Sequence, residues 1–250
     1  MTTEIFNHIL DDVFSLPFSQ TEKIIEIEKK IYKELQQHPA DICGLVSLMF
    51  VQIMQGKHNE AKEIANRIWM IGGNMPTDFE LLFIENLLNV GLLNMASALL
   101  KPKFESLNNN IDDFYSVLSK FSIMTGSISL LKRLQNFVNE DDPVLFEFAD
   151  LFEHALCSTQ FKDIQKMVIE RVSSSLCAYE YDLYDDEGYP ELIISLYLNK
   201  TDSDCLQLEN ELNKQIAAYW ISCQKKQLYN LSFEIKNISL HDSWFEEDKD

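Results

Sequence analysis

A mainly α-helical chain, an array of helical hairpins followed by a small α/β module, is what the sequence predicts, and three observations predict it. Gly56, Gly91 and Gly126 stand 35 residues apart, twice, in a chain with only 7 glycines. Each falls between two segments whose apolar residues recur at helical offsets. After about Ala178 the apolar period changes to two, the spacing of a strand. The composition, 46% apolar and 11% aromatic with 6 prolines in 250 residues, is that of a chain that buries a core and excludes disordered, collagen-like and linker-rich classes. The length fits one large domain or one elongated array with a small appendage.

From the N-terminus, Glu4 to Phe14 reads as a helix that breaks at Leu16-Pro17-Phe18. Ile24, Ile27, Ile31 and Leu35 form the next stripe, with Thr21 one period before Gly56 and placed to cap it. Asp41 to Gln55 carries Leu45, Leu48, Met49, Gln52 and Ile53; beyond Gly56, Ala61, Ile64, Ala65 and Ile68 supply the partner helix. The second unit repeats the plan, with Leu81, Leu82, Ile84, Leu87 and Leu88 before Gly91, then Met95, Ala96, Leu99 and Leu100. In the third, Phe114, Val117, Leu118, Phe121 and Ile123 precede Gly126, and Leu130, Leu131, Leu134, Phe137 and Val138 follow it. One further step lands on Phe161, predicting a helix over Pro143 to Cys157 and a partner from Asp163 to about Cys177. The expectation is about five hairpins, the outer two irregular, because end units of such arrays lack one neighbour.

A period of 35 residues with glycine in the intra-repeat turn and alanine five residues later resembles the tetratricopeptide repeat family. The resemblance rests on Gly56 with Ala61, Gly91 with Ala96, Gly126, and Pro143 between repeats, and covers roughly residues 40 to 140. Met49, Ile84 and Ser119 stand where the family has a small glycine in the first helix, and Leu131 replaces the third alanine; other αα-solenoids share this period. The resemblance implies a TPR-like α-solenoid whose concave groove, lined by the first helix of each hairpin, binds a protein or peptide. It places Glu85, Asn89, Ser116 and Lys120 on that groove, each with ordinary solvated helix polarity as the plainer reading.

Beyond residue 178, Tyr179, Tyr181 and Leu183 alternate with polar neighbours, and so do Leu192, Ile194, Leu196 and Leu198, around an Asp185-Asp186-Glu187-Gly188 turn. This predicts a β-hairpin, its first strand being one that could instead prolong the preceding helix. A helix capped by Asp202 follows, with Leu206, Leu208, Leu212, Ile216, Tyr219 and Trp220 on its apolar side, and Tyr229, Leu231, Phe233 and Ile235 read as a third strand. The expected division is a helical repeat domain over 1-178, a ββαβ module over 179-240 packed on the end of the array, and an acidic flexible tail over 241-250.

Charge narrows the partners. With 21 basic against 40 acidic residues the net charge is −19, which disfavours nucleic acid and acidic membrane surfaces and favours neutral or basic proteins. Between Glu140 and Glu191 there are 14 carboxylates and three basic residues, enough to steer a basic partner or simply to confer solubility. No window approaches a membrane-spanning length, and the first ten residues lack the basic start of a signal peptide. Cys43, Cys157, Cys177, Cys205 and Cys223 show no ligand spacing and read as small apolar thiols in a reducing cytoplasm.

Two acidic constellations are candidate cation ligands: Asp182, Asp185, Asp186 and Glu187, which lack the alternation of a calcium loop, and Asp150 with His154 and Glu153, which lack a matching second helix. No phosphate loop, dinucleotide fingerprint or activated nucleophile is recognisable. The function expected is therefore a non-catalytic, cofactor-free adaptor or chaperone of the cytoplasm. Two alternatives stay open: an acidic immunity or inhibitor protein that neutralises a basic toxin, and an enzyme whose site assembles only in space.

Overall fold

The order of elements follows the apolar stripes closely through the first 135 residues. In the computed structural model, which describes residues 2–14, 16, 20–105, 114–135, 149, 158–186, 189–223 and 231–240, the chain is mainly helical with a small three-stranded mixed sheet. Helices α1 (Thr2–Phe14) and α2 (Thr21–Gln37) pair first, then α3 (Ile42–Met54) with α4 (His58–Ile71), α5 (Thr77–Asn89) with α6 (Leu93–Glu105), and α7 (Tyr115–Met124) with α8 (Ile128–Gln135). The first helices also touch in succession, α1 on α3, α3 on α5 and α5 on α7. Helix α3 is apolar on every side, and every residue from Cys43 to Met54 is buried among α1, α2, α4 and α5. Asp41 caps it by accepting the Gly44 N–H at 3.0 Å. Thr21 proves to be the first residue of α2 rather than its cap; the cap position is Gln20, whose side chain makes no capping bond.

The three glycine corners are built alike. Gly56 donates to Ile53 O at 2.8 Å and Lys57 to Gln52 O at 2.8 Å; Gly91 to Leu88 O at 3.0 Å and Leu92 to Leu87 O at 2.8 Å; Gly126 to Ile123 O at 2.9 Å and Ser127 to Ser122 O at 2.8 Å. This pair of bonds is the Schellman cap, which satisfies the last carbonyls of a helix provided one residue turns left-handed. The φ values are 68°, 72° and 63°. The missing side chain has a second use, since a Cβ on Gly126 would overlap the Lys162 backbone and one on Gly56 the Asn199 side chain. At Gly91 it would come within 2.9 Å of Ser173 Cβ.

These contacts locate the C-terminal part. Helix α9 (Ser158–Val172), the turn after it, and the residue after the second strand lie against the Gly126, Gly91 and Gly56 corners in turn. The chain from α9 to the end of β2 thus runs along the corner edge of the hairpins, and the α/β module meets that edge at Gly56 through Asn199. Phe161, where the period predicted a fourth corner, is buried inside the continuous α9; no glycine stands there to take the left-handed turn, so the helix carries on. Of the predicted helix over 143–157 only Ala149 is described, helical and buried, and the 241–250 tail lies outside the described residues.

Strands β1 (Leu176–Asp186) and β2 (Tyr189–Leu198) pair antiparallel, and β3 (Leu231–Asn237) pairs parallel with β2 after the crossover helix α10 (Asp202–Ser222). The first strand begins at Leu176 and does not prolong α9. Thr201, not Asp202, caps α10, its hydroxyl accepting the Asp204 N–H at 3.2 Å. Register gives the sheet two unlike faces. Tyr179, Tyr181, Leu183, Leu192, Ile194, Leu196, Phe233 and Ile235 share one; Glu180, Asp182, Glu191, Ser195, Tyr197, Ser232, Glu234 and Lys236 share the other. Buried apolar residues from Phe6 to Ile238 form one continuous cluster, and α5 packs on β1.

Gly126→Ala is expected to lower unfolding free energy by about 2–4 kcal/mol, combining left-handed strain with displacement of α9. Urea denaturation measures the loss, and a value no larger than the about 1–2 kcal/mol of left-handed strain alone would show that α9 does not press on the corner.

Candidate functional site

The four residues predicted to line a groove separate into a cluster and an outlier. Glu85 and Asn89 lie one turn apart on α5, and Lys120 sits on α7 at the position one 35-residue period after Glu85. The Lys120 ammonium pairs with the Glu85 carboxylate and donates to Asn89 Oδ1 at 3.3 Å. Lys120 is 6% exposed and Asn89 0%, so both are enclosed between helices instead of facing an open groove. Ser116 is exposed and takes no part in the cluster. The Asn89 side-chain nitrogen has no hydrogen-bond partner among the described residues. Opposite charges at equal places in successive units were the sequence signal that could have announced this pair.

A second enclosed network was not foreseen. The Glu28 carboxylate of α2 accepts from Gln52 at 2.7 Å, from Gln55 at 2.9 Å and from Lys57 at 3.3 Å, joining α2 to the end of α3 and its corner. Burial works to raise this carboxyl, and the bonds from Gln55, Gln52 and Lys57 more than offset it, leaving it below the usual value.

The Cys–His contact nearest to a catalytic arrangement is also closed. Cys177 Sγ lies 3.8 Å from His58 Nε2, but the same nitrogen is 2.6 Å from Leu176 O, and Nδ1 is 2.8 Å from Gly56 O. The ring thus lies between the Gly56 corner and the start of β1, its one N–H donating to one of the two carbonyls. Burial pushes the Cys177 thiol up to about 12, the reverse of an activated nucleophile. Sequence gave no sign of this contact, because the two residues are 119 apart.

The polar sheet face carries a linked set of charged and hydroxyl side chains. Ser232 donates to Glu191 at 2.8 Å, Ser195 to Glu234 at 3.3 Å, and Lys236 pairs with Glu234 at 2.7 Å. Tyr197 lies nearly buried among them; burial and the neighbouring carboxylates of Glu180, Asp182 and Glu234 push its hydroxyl above the ordinary value. The face thus carries four carboxylates, Glu180, Asp182, Glu191 and Glu234, and the Lys236 ammonium, which pairs with Glu234. No group of three or more potential metal ligands gathers among the described residues. Asp150, Glu153, His154 and Glu187 lie outside those residues, as do the side chains of Asp185 and Asp186. Neither a family model, nor a curated protein, nor a solved structure matches the chain.

Two outcomes follow from the closed clusters. Lys120→Met should destabilise by about 2–3 kcal/mol because it strands the Glu85 carboxylate, and Glu85→Gln in that background should restore part of the loss; a double-mutant cycle by denaturant titration measures it. For Cys177, the folded state holds its proton more tightly than the unfolded chain does. Stability from this group is complete below about pH 9 and falls as pH rises toward 12, so Cys177→Ala should flatten that alkaline limb of the unfolding curve.

Proposed function

We propose that this chain is a non-catalytic protein-interaction module, an adaptor or chaperone of the cytoplasm, built as a TPR-like αα-solenoid with a ββαβ module at its corner edge. The observation that carries this reading is the threefold recurrence of one corner at a fixed 35-residue spacing, because an array of like units makes an extended surface and each unit is stable only against its neighbours. Along the first helices the part open to a partner is the rim, where Ser116 is exposed and Glu85 is half-buried, held in place by Lys120 and Asn89. A peptide with a basic residue opposite Glu85 suits that rim and the charge of −19. Among the described residues no helix is long and apolar enough to cross a membrane.

A second reading, an acidic inhibitor or immunity protein, draws on the polar sheet face, where Glu180, Asp182, Glu191 and Glu234 outnumber Lys236. It differs in which surface is used and in its salt response. Crosslinking followed by mass spectrometry locates the contact, and the affinity of the recovered partner is then measured from low to high salt. The adaptor reading expects crosslinks around Ser116 and at least a tenfold loss of affinity in Ser116→Trp with the melting temperature unchanged. Crosslinks on the sheet face with affinity falling steeply in salt favour the inhibitor. Turnover of a small molecule with no protein partner recovered would overturn both.

A further inference from the structure

A cleft of about 640 Å³ opens where α6 begins, between α6, the end of α7 and the face of α9. That volume lies within the range of small-molecule sites. Its floor is apolar, with Phe121, Met124 and Ile169 each less than 10% exposed. Its rim is basic: Lys162 and Lys166, one turn apart on α9, face a single carboxylate, Glu170, which stands 3.9 Å from Lys166. In a chain of net charge −19 this rim has the opposite sign to the protein as a whole. The first residues of α6, Leu93 and Asn94, also border the cleft, so the positive end of that helix adds to the same side.

We propose that this cleft binds a small amphipathic carboxylate, its anionic head between Lys162 and Lys166 and its apolar body over Phe121, Met124 and Ile169. The site is independent of the protein-binding reading above and uses none of its residues. Because one wall is α9 and the others belong to the α5–α6 and α7–α8 hairpins, an occupant ties the C-terminal part to the hairpins and raises the melting temperature.

The test uses the full chain with methionines labelled at the methyl carbon, titrated with decanoate below its micelle concentration. Met95 and Met124, which line the cleft, should shift together and saturate, while the exposed Met70 stays still. Decanol, with the same chain and no charge, should bind at least tenfold more weakly, as should decanoate to the Lys162→Gln/Lys166→Gln variant, whose substituted side chains are exposed and whose fold is checked by its spectrum. Acetate, with the head and no body, should not saturate the same signals. The proposal is overturned if Met95 and Met124 do not saturate with decanoate, if Met70 moves in parallel, or if decanol or the double variant matches the wild-type decanoate affinity.

Discussion

The absence of a side chain at Gly56, Gly91 and Gly126 is the constraint on which the rest of the molecule depends. Each of these residues closes a helix by turning left-handed, and each leaves the room into which Asn199, Ser173 or Lys162 packs. One substitution at a corner therefore acts on two levels, the local backbone and the docking of the C-terminal part. Glycine in a turn costs conformational entropy on folding, a term of about 0.5–1 kcal/mol relative to alanine in regular structure. The closeness of packing at the corners is what repays it. The buried His58 ring fills the space between Gly56 O and Leu176 O, so one corner and the first strand pack on the same side chain.

Polar groups inside the array fix the sliding of helices over one another, which apolar packing leaves loosely defined. A slip of α7 along α5 by one turn, about 5.4 Å, would carry Lys120 away from Glu85 and leave both charges desolvated without a partner. Glu28 acts similarly between α2 and α3, gathering Gln52, Gln55 and Lys57 on one carboxylate. Such pairs add little net stability compared with an apolar replacement, because desolvation consumes most of the Coulombic gain. Their effect is to penalise wrong registers between helices that pack through apolar faces.

Much of this was legible in the chain, and the parts that were not have physical reasons. The glycine period located all three corners, and the apolar stripes located the helices beside them, because turn geometry and burial are local requirements. Alternation likewise identified the strands, and it gave the sheet its two faces. The extension of the period to Phe161 failed because amphipathic spacing alone cannot say where one helix ends; only a residue able to turn left-handed can, and phenylalanine is not one. Of the polar positions on α5 and α7, Glu85, Asn89 and Lys120 meet one another through the Lys120 ammonium, and Ser116 stays exposed. A polar residue on an apolar helix reads the same in sequence whether it meets solvent, a ligand or its counterpart in the next unit. The Cys177–His58 contact, across 119 residues, and the cleft beside α9, lined by residues from Gly91 to Ser173, arise from packing between distant segments, for which no local pattern exists.

The distribution of charge decides what kind of molecule the cleft can select. The net charge of −19 repels anions at a distance, and at physiological ionic strength that field decays over about 8 Å, so the two lysines of α9 govern only what already lies against them. A compact inorganic anion would gain the lysine contacts but nothing from Phe121, Met124 and Ile169, and it would pay the long-range repulsion in full. An uncharged apolar molecule would gain the floor and nothing from the two ammonium groups. Burying about 100 Å² of hydrocarbon contributes roughly 2.5 kcal/mol, comparable to one charge-assisted hydrogen bond at about 1.5–3 kcal/mol, so neither half of the site suffices for tight binding and the two together discriminate. Selectivity at this cleft follows from requiring an apolar body and a single negative head within the span of one helical turn of α9.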